Sequence, residues 1–332
     1  MGPEPQLLRT FLVVARGGSI SEAARQLHRS QPAVTAAVKR LEAHFGEPLF
    51  RRGGKGVRLT DLGARLLPHA EALERVLGGV NRLAAEAAGL EGARLRIAAS
   101  TTIALYWLPP RLALFCSEHP SAKLVVHTRN SREAIEELTA GEVDLALVEA
   151  PATSWAALPD GLLVATPVHD DELVLVVDPG HPLAMAGRVA PQELGGLAFV
   201  GREAGSGTRA VLEQALATLG PPRDAPWHAG PGSTNGQAVR GAGGRTLAAP
   251  DVRLELGEPE AIKRAVRAGL GAAVLSRVAV AQEVERGELV ALSIAHPGFR
   301  RQFTLLHPPE ALASHACWTF RTLAVTSPRG GA

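Results

Sequence analysis

Two serines, Ser19 and Ser30, place the tightest constraint on the fold. Ser19-Ile20-Ser21-Glu22 is a Ser-x-x-Glu capping box, in which the serine hydroxyl and the glutamate carboxylate satisfy each other's backbone N–H in the first turn of a helix. That helix is short and ends near Leu27. After His28-Arg29, Ser30 stands ready to cap a second helix, with Pro32 in its first turn, where a missing N–H costs little. Starts so closely spaced leave room only for two helices meeting at a tight turn.

In the second helix Val34, Val38, Leu41 and Phe45 recur at spacings of four, three and four, the mark of one buried stripe. Gln31, Thr35 and Lys39 form a row about 90° round from it, with the small Pro32 and Ala36 beyond. Such a face suits a major groove: Gln bonds an adenine edge, the Thr methyl meets thymine, and Lys reaches guanine or a phosphate. An ordinary solvated helix face explains the same row equally well on periodicity alone. The next segment favours nucleic acid. From Pro48 to Leu59 the chain reads as two short strands around a glycine-rich turn, a wing whose Arg51, Arg52, Lys55 and Arg58 suit phosphates or a neighbouring minor groove. Plain solubility accounts for any single one of these side chains.

Charge separates this end from the rest. The 332-residue chain carries 35 Lys+Arg against 33 Asp+Glu, a net +2 that argues against a basic nucleic-acid coat. Residues 1–60, however, hold ten Lys/Arg against four Asp/Glu, a surplus of +6, which leaves −4 for the remainder.

The run from Ser19 to Leu27, then Ser30-Gln31-Pro32-Ala33-Val34-Thr35, Leu41-Glu42, Phe45-Gly46, Leu49-Phe50-Arg51-Arg52 and Leu59-Thr60-x-x-Gly63, resembles the winged helix-turn-helix of LysR-type transcriptional regulators. The match covers the first 60 or so positions in order. It implies a DNA-binding head at residues 1–60 with Ser30, Gln31, Pro32, Thr35, Lys39 and the four wing cations at the duplex.

From Asp61 to about Ala88 two interleaved seven-residue series, Leu62, His69, Val76, Leu83 and Leu66, Leu73, Val80, Ala87, give the a/d seam of a coiled coil. A linker helix over 61–89 that pairs with a copy of itself is therefore expected, with Leu62, Leu66, Leu73, Val76, Val80 and Leu83 in the seam. A helix packed on its own domain is the alternative, favoured by Pro68, His69 at a seam position and the helix-weakening Gly78-Gly79. The family resemblance implies pairing, as a homodimer or a homotetramer.

Beyond a hinge at Gly89-Leu90-Glu91-Gly92, strand-like and helix-like runs alternate, an α/β signature. Strands are expected at 95–99, 124–128, 143–148, 172–177, 198–200, 252–256 and 272–275, and helices at 103–118, 131–140, 207–219, 259–269 and 310–325. Three strand ends run through short polar residues into a helix start: Ser100-Thr101-Thr102, Asn130-Ser131 and Gly205-Ser206-Gly207-Thr208. Helix N-termini with free N–H groups and hydroxyls hold anions, and ligands of open α/β sheets gather outside the carboxyl ends of strands. A small-molecule pocket is expected there, although simple capping explains any one cluster. Gly-Ser-Gly-Thr lacks the Gly-Lys-Ser/Thr ending of a nucleotide-hydrolysing loop.

Arg202-Glu203-x-Gly205-Ser206-Gly207-Thr208-Arg209, with Leu254 to Lys263 and Gly269-Leu270-Gly271, is similar to the effector-binding half of LysR-type regulators, nearest in character to those governing carbon fixation and sulfur assimilation. This implies a periplasmic-binding-protein-like effector domain at 93–302 with two α/β subdomains, 93–168 plus 275–302 and 169–274, followed by a C-terminal strand, helix and tail at 303–332. Ser100, Thr101, Thr102, Thr128, Asn130, Arg202, Glu203, Ser206 and Thr208 would line the cleft between them. Arg202 suits a carboxylate or phosphate ligand, the bland reading being a structural Arg202–Glu203 pair. Glu258-Pro259 replaces a usual polar pair and turns a negative charge toward the cleft. Residues 225–250, with six Gly and three Pro, are expected to form a loose loop.

Cys116 and Cys317 are the two cysteines, each among apolar neighbours, which suits small hydrophobes rather than redox sensors. No helix-borne metal motif, cofactor loop or nucleophile–base motif is present, so neither a metal, a cofactor nor catalysis is expected. No secretion signal or 18-residue apolar span is seen, so a cytoplasmic, soluble protein is expected. The partners implied are double-stranded DNA bearing an interrupted palindrome, a small, anionic effector, a second copy of the chain and RNA polymerase. The competing reading is a cytoplasmic solute-binding protein using residues 93–332 alone, against which the basic winged end weighs.

Overall fold

A computed structural model of the chain describes residues 2–53, 56–87, 94–156, 158, 161–219, 239–240, 246–247, 250–310 and 313–326. Residues 88–93, which include the expected hinge at 89–92, Lys55 of the wing and all but five residues of the 225–250 segment lie outside them, as do the side chains of Arg52 and Leu83.

The head is built from α1 (Pro5–Gly17), α2 (Ile20–Gln26), α3 (Gln31–Phe45), β1 (Phe50–Gly53) and β2 (Gly56–Leu59). Helix α1, which carries no capping motif in the sequence, buries Leu7, Phe11, Leu12 and Val14 along one face. Full burial of a side chain such as Phe11 contributes about 2 kcal/mol. The Ser19 hydroxyl caps α2 by accepting from the Glu22 N–H at 3.3 Å, but the box is not reciprocal, because the Glu22 carboxylate pairs with Arg25 instead. Ser30 caps α3 through the Ala33 N–H, and His28, at φ 51°, makes the turn between the two helices. Gly18, at φ 61°, ends α1, and its carbonyl accepts from the Val57 N–H at 2.8 Å, which ties the wing to the helices.

Helix α4 (Asp61–Ala87) leaves the head. Its first half joins the head's own core: Leu66 and Ala70 are buried, and Leu62 and Leu67 pack beside them on Phe11, Leu41 and Leu49. Leu62 and Leu66 are thus core residues of the head rather than a free seam. Val76, Leu77 and Val80 stay exposed, by 39, 37 and 56%, and among the described residues of α4 the exposed apolar stripe begins there.

The remaining chain runs through β3 (Arg94–Ser100), a π-helical turn at Ile103–Trp107, α5 (Pro109–Glu118), β4 (Lys123–Arg129), α6 (Ser131–Thr139), β5 (Leu145–Val148), β6 (Val164–Val177), β7 (Arg188–Val189), β8 (Ala198–Arg202) and α7 (Gly207–Ala217). It continues through the two-residue strands β9 (Val239–Arg240) and β10 (Thr246–Leu247), then β11 (Asp251–Leu256), α8 (Pro259–Arg267), β12 (Ala273–Ser276), α9 (Arg277–Glu285), β13 (Val290–Ile294), β14 (Arg300–His307) and α10 (His315–Thr326).

In the first subdomain β4, β3 and β5 run parallel, and β14 inserts antiparallel between β5 and β6. Strand β6 is long enough to serve both halves. It pairs with β14 over Val164–Glu172, then with β12 and β13 over Leu173–Val177. This moves two boundaries from their expected places. Residues 275–299 belong to the second subdomain, because β13 pairs with the far end of β6 and Val280, Leu289 and Leu292 sit in its core. Conversely β14 and α10 complete the first subdomain, with Phe303, Leu305, Cys317 and Phe320 buried against Leu95, Ile97 and Phe115. The chain therefore crosses twice, near Asp171 and near Arg300. Cys317 is a buried small hydrophobe as expected, but Cys116 is exposed, because it lies one position round α5 from the buried Phe115.

Candidate functional site

Two surfaces bring the expected residues together. On the head, Gln31, Pro32, Ala36 and Lys39 are exposed and Thr35 is half-buried, while Val34, Ala37, Val38 and Leu41 face inward. One face of α3 is therefore free along its length. The Gln31 amide donates to the Ser21 hydroxyl at 2.6 Å, so α2 orients the first residue of that row. Beside it the wing is held in place by Glu42, whose Oε1 accepts from the backbone N–H of Leu49 at 2.9 Å and of Phe50 at 3.3 Å. Arg51 and Arg58 stand directly opposite one another across the hairpin, both exposed. Two like charges on one antiparallel rung repel, an arrangement that an external polyanion relieves.

The second surface is the cleft between the subdomains. Of the nine residues expected there, three converge on one group, the buried carboxylate of Glu149 at the end of β5. Ser100 Oγ donates to Glu149 Oε2 at 2.9 Å; Thr102 and Thr208 donate to Oε1 at 3.0 and 3.2 Å. Ser100 and Thr102 belong to the first subdomain and Thr208 to the second, so this carboxylate bridges the cleft. Arg301 Nη1 lies 3.7 Å from Glu149 Oε1, donates to Thr208 Oγ1 at 3.0 Å, and the same guanidinium pairs with Asp171 at 2.7 Å. Asp171 in turn accepts from Ser276 Oγ at 2.7 Å.

The other expected residues divide. Asn130 caps α6 reciprocally with Glu133 and presses its amide against Gly205, where a Cβ would lie 2.9 Å from Asn130 Oδ1. Ser206 begins α7 without capping it, and its buried Oγ has no partner among the described residues. Arg202 and Glu203 form the bidentate pair of the structural reading, at 2.8 and 3.0 Å, although the buried Arg202 Nη1 has no partner there. Thr101 bonds the Arg129 carbonyl and pins β3 to β4, and Thr128 is exposed; neither reaches the Glu149 cluster.

Backbone closes the same gap. The Arg132 N–H donates to the Gly205 carbonyl across the cleft at 3.3 Å. A Cβ on Gly207 would meet Ser131 Oγ at 2.6 Å, Glu149 Cγ at 2.8 Å and Ala150 N at 2.9 Å, so glycine is what lets the two halves approach this closely. Tyr106 makes a further crossing, its phenol donating to Glu260 at 2.6 Å. Burial, and then the Glu260 carboxylate, hold that phenol above its ordinary range. Burial alone would raise Glu260, but the bonds from Lys263 and Tyr106 outweigh it and hold the carboxyl low. The negative charge expected from Glu258 is thus carried at this crossing by Glu260.

Sequence reasoning missed Glu149, Asp171 and Arg301. Glu149 was within reach: it follows the third parallel strand in the same topological position as the hydroxyl clusters. Asp171 and Arg301 sit on the crossing strands, whose full extent no local pattern reveals.

Residues 5–64 match the family model described as bacterial regulatory helix-turn-helix protein, lysR family, and residues 88–230 and 223–328 match the LysR substrate binding domain. The chain is 30% identical over 319 residues to the RuBisCO operon transcriptional regulator of Allochromatium vinosum, covering 96% of this chain and 94% of that one. An uncharacterized HTH-type transcriptional regulator of Escherichia coli is likewise 30% identical, over 313 residues and 94% of each chain. Among solved structures, a full-length OxyR variant from Pseudomonas aeruginosa superposes with a TM-score of 0.62 at 19% identity, over 98% of this chain and 94% of that one, a likeness of fold. The CcmR regulatory domain of Synechocystis PCC6803, in complex with 2-PG (2-phosphoglycolate), is 28% identical with a TM-score of 0.56, over 71% of this chain and 98% of that one.

Proposed function

Because the chain belongs to the LysR family of bacterial transcriptional regulators, we propose that it reads an interrupted palindrome as a dimer and that a small anion held in its cleft modulates that reading. The chain is a LysR-type regulator with a helix-turn-helix head and an effector-binding half. What carries the anionic class is the convergence of Ser100, Thr102, Thr208 and Arg301 on a carboxylate: three hydroxyl donors and a guanidinium arranged around a negative charge. Arg202 Nη1, Ser206 Oγ and Arg301 Nη2, on elements bordering the cleft, have no partner among the described residues and add hydrogen-bonding capacity of the same sign. The phosphorylated carboxylate bound by the CcmR domain is a ligand of that class. For an effector to signal, its affinity must differ between the arrangements of the two subdomains.

At the duplex, Gln31, Thr35 and Lys39 meet base edges, while Arg51, Arg58 and their wing neighbours meet phosphates. A mobility-shift assay on the upstream intergenic DNA tests this. Thr35→Ala and Lys39→Ala are expected to relax base preference, each by about 1–3 kcal/mol of discrimination at one position. Arg51→Ala is expected to weaken all duplexes alike and to reduce the salt slope by about 1. Equal loss of selectivity in all three variants contradicts the assignment, and the lack of any salt-sensitive, sequence-selective complex sinks the DNA reading.

Dimerisation is assigned to the exposed stripe Val76, Leu77 and Val80, past the part of α4 that the head consumes. Charged side chains there desolvate on pairing without a partner. A Val76→Glu, Val80→Glu double variant is expected to sediment as a monomer at micromolar concentration where the wild type is a dimer or larger; an unchanged sedimentation coefficient removes this stripe from the interface.

A further inference from the structure

The carboxylate in the hydroxyl cradle belongs to the chain itself, and two features fix what that means. First, it is fully committed: Glu149 is 1% exposed, and both of its oxygens accept, Oε2 from Ser100 and Oε1 from Thr102 and Thr208. Those are the donors an external anion needs. Second, there is no room for both. The start of α7 lies against the Glu149 side chain so closely that even the Cβ of an alanine at 207 would stand 2.8 Å from its Cγ. Charge adds to the exclusion. The buried ionic groups at this point are Glu149, Asp171 and Arg301, two negative and one positive, and a free anion would join a cluster already in negative surplus. Arg202 and Lys263, the other buried cations bordering the cleft among the described residues, are matched by Glu203 and by Glu260 and Glu283.

We infer that Glu149 is a tethered anion that competes with the effector for the hydroxyl cradle and sets its affinity. The inference rests on the anionic-effector reading above and deepens it: Glu149 is the specificity-determining group of that site. By bridging Ser100 and Thr102 of one subdomain to Thr208 of the other, its carboxylate makes the contacts that a bound anion would make, so it holds the cleft closed on its own. The effector then exchanges one bridging anion for another, and the arrangement of the two subdomains changes with it. Its signal lies in the difference between the tethered and the free anion in length and charge. An effector with more oxygens than a single carboxylate, such as a phosphate ester, is favoured in that exchange, because it reaches Arg301, whose Nη1 lies 3.7 Å from Glu149, in addition to the three hydroxyls.

The test is titration calorimetry on the full-length wild type, Glu149→Gln and Glu149→Ala, with inorganic phosphate and 2-phosphoglycolate as probes and circular dichroism to verify folding. Glutamine keeps the volume and removes the charge, so it serves where alanine collapses the site. Both variants are expected to bind at least one probe ten-fold or more tightly than the wild type, with alanine the tighter of the two. If the wild type binds a probe and neither variant binds it more tightly, Glu149 is no competitor, while the anionic reading stands. If no chain binds either probe, the anionic reading falls and the competition with it.

Discussion

A Gly63→Ala chain is expected to lose specific DNA binding while its effector half still melts as in the wild type, although residue 63 lies on no face assigned to the duplex. Gly63 sits two residues into α4, where its backbone N–H donates to the Thr60 hydroxyl at 3.1 Å and its Cα abuts Leu49, just before β1. A Cβ there would fall 2.2 Å from the Leu49 carbonyl oxygen and 3.0 Å from Leu59 Cδ2. The first obstacle is backbone, and it is already committed, since Leu49 O accepts from the Thr60 N–H at 3.0 Å. No rotamer change relieves the clash. Helix α4 must lift away, breaking the packing of Leu62 and Leu66 on Phe11 and Leu49. Overpacking of this kind costs about 1–3 kcal/mol or more, against about 3–9 kcal/mol of total stability for a head of this size. For so small a unit the loss corresponds to a fall of roughly 5–20 °C in its melting temperature. Differential scanning calorimetry separates the two transitions, and a mobility shift at 37 °C reads the consequence. Wild-type melting of the head in Gly63→Ala would show that α4 has slack at this contact.

That contact also shows why some of the molecule was legible in the sequence and some was not. The head was readable because its signals are local: two serine caps, a stripe at helical spacing and a basic hairpin each lie within fifteen residues, and every one of them reappears. The coiled-coil seam was half readable. A heptad pattern reports apolar spacing, not the partner, and the head takes up Leu62 and Leu66 before a second copy can. The subdomain boundary was misplaced because it depends on pairing between distant segments. Nothing in the run from 275 to 302 states that Val290–Ser293 pairs with the far end of β6 while Arg300–His307 pairs with the near end. Ser100, Thr102 and Thr208 are legible as hydroxyls at strand ends, but the group they meet is not, because donors mark an anion site and Glu149 is an acceptor that the chain itself supplies.

Arg301→Met is expected to be the most damaging single change in the effector half. The guanidinium is buried, with 4% of its side chain exposed, and it stands between two buried carboxylates, 2.7 Å from Asp171 and 3.7 Å from Glu149. It also lies at the second crossing, where β14 re-enters the first subdomain opposite β6, in register with Asp171. Methionine fills much of the volume and restores none of the charge. Two carboxylates are then left in a low-dielectric interior with hydroxyl donors only, from Ser276 for one and from Ser100, Thr102 and Thr208 for the other. Breaking a buried pair in this way costs about 3–5 kcal/mol, because the surviving charge loses its compensation. For a unit of this size that lowers the melting temperature by roughly 6–20 °C. Adding Asp171→Asn is expected to recover part of the loss, since the amide can still accept from Ser276 while its charge is gone, and residues in one network couple by about 0.5–3 kcal/mol. Thermal unfolding of wild type, both single variants and the double variant closes the cycle. Additive losses would show that Arg301 packs at the crossing without neutralising it, and the cleft's charge balance, on which the competition at Glu149 depends, would have to be drawn differently.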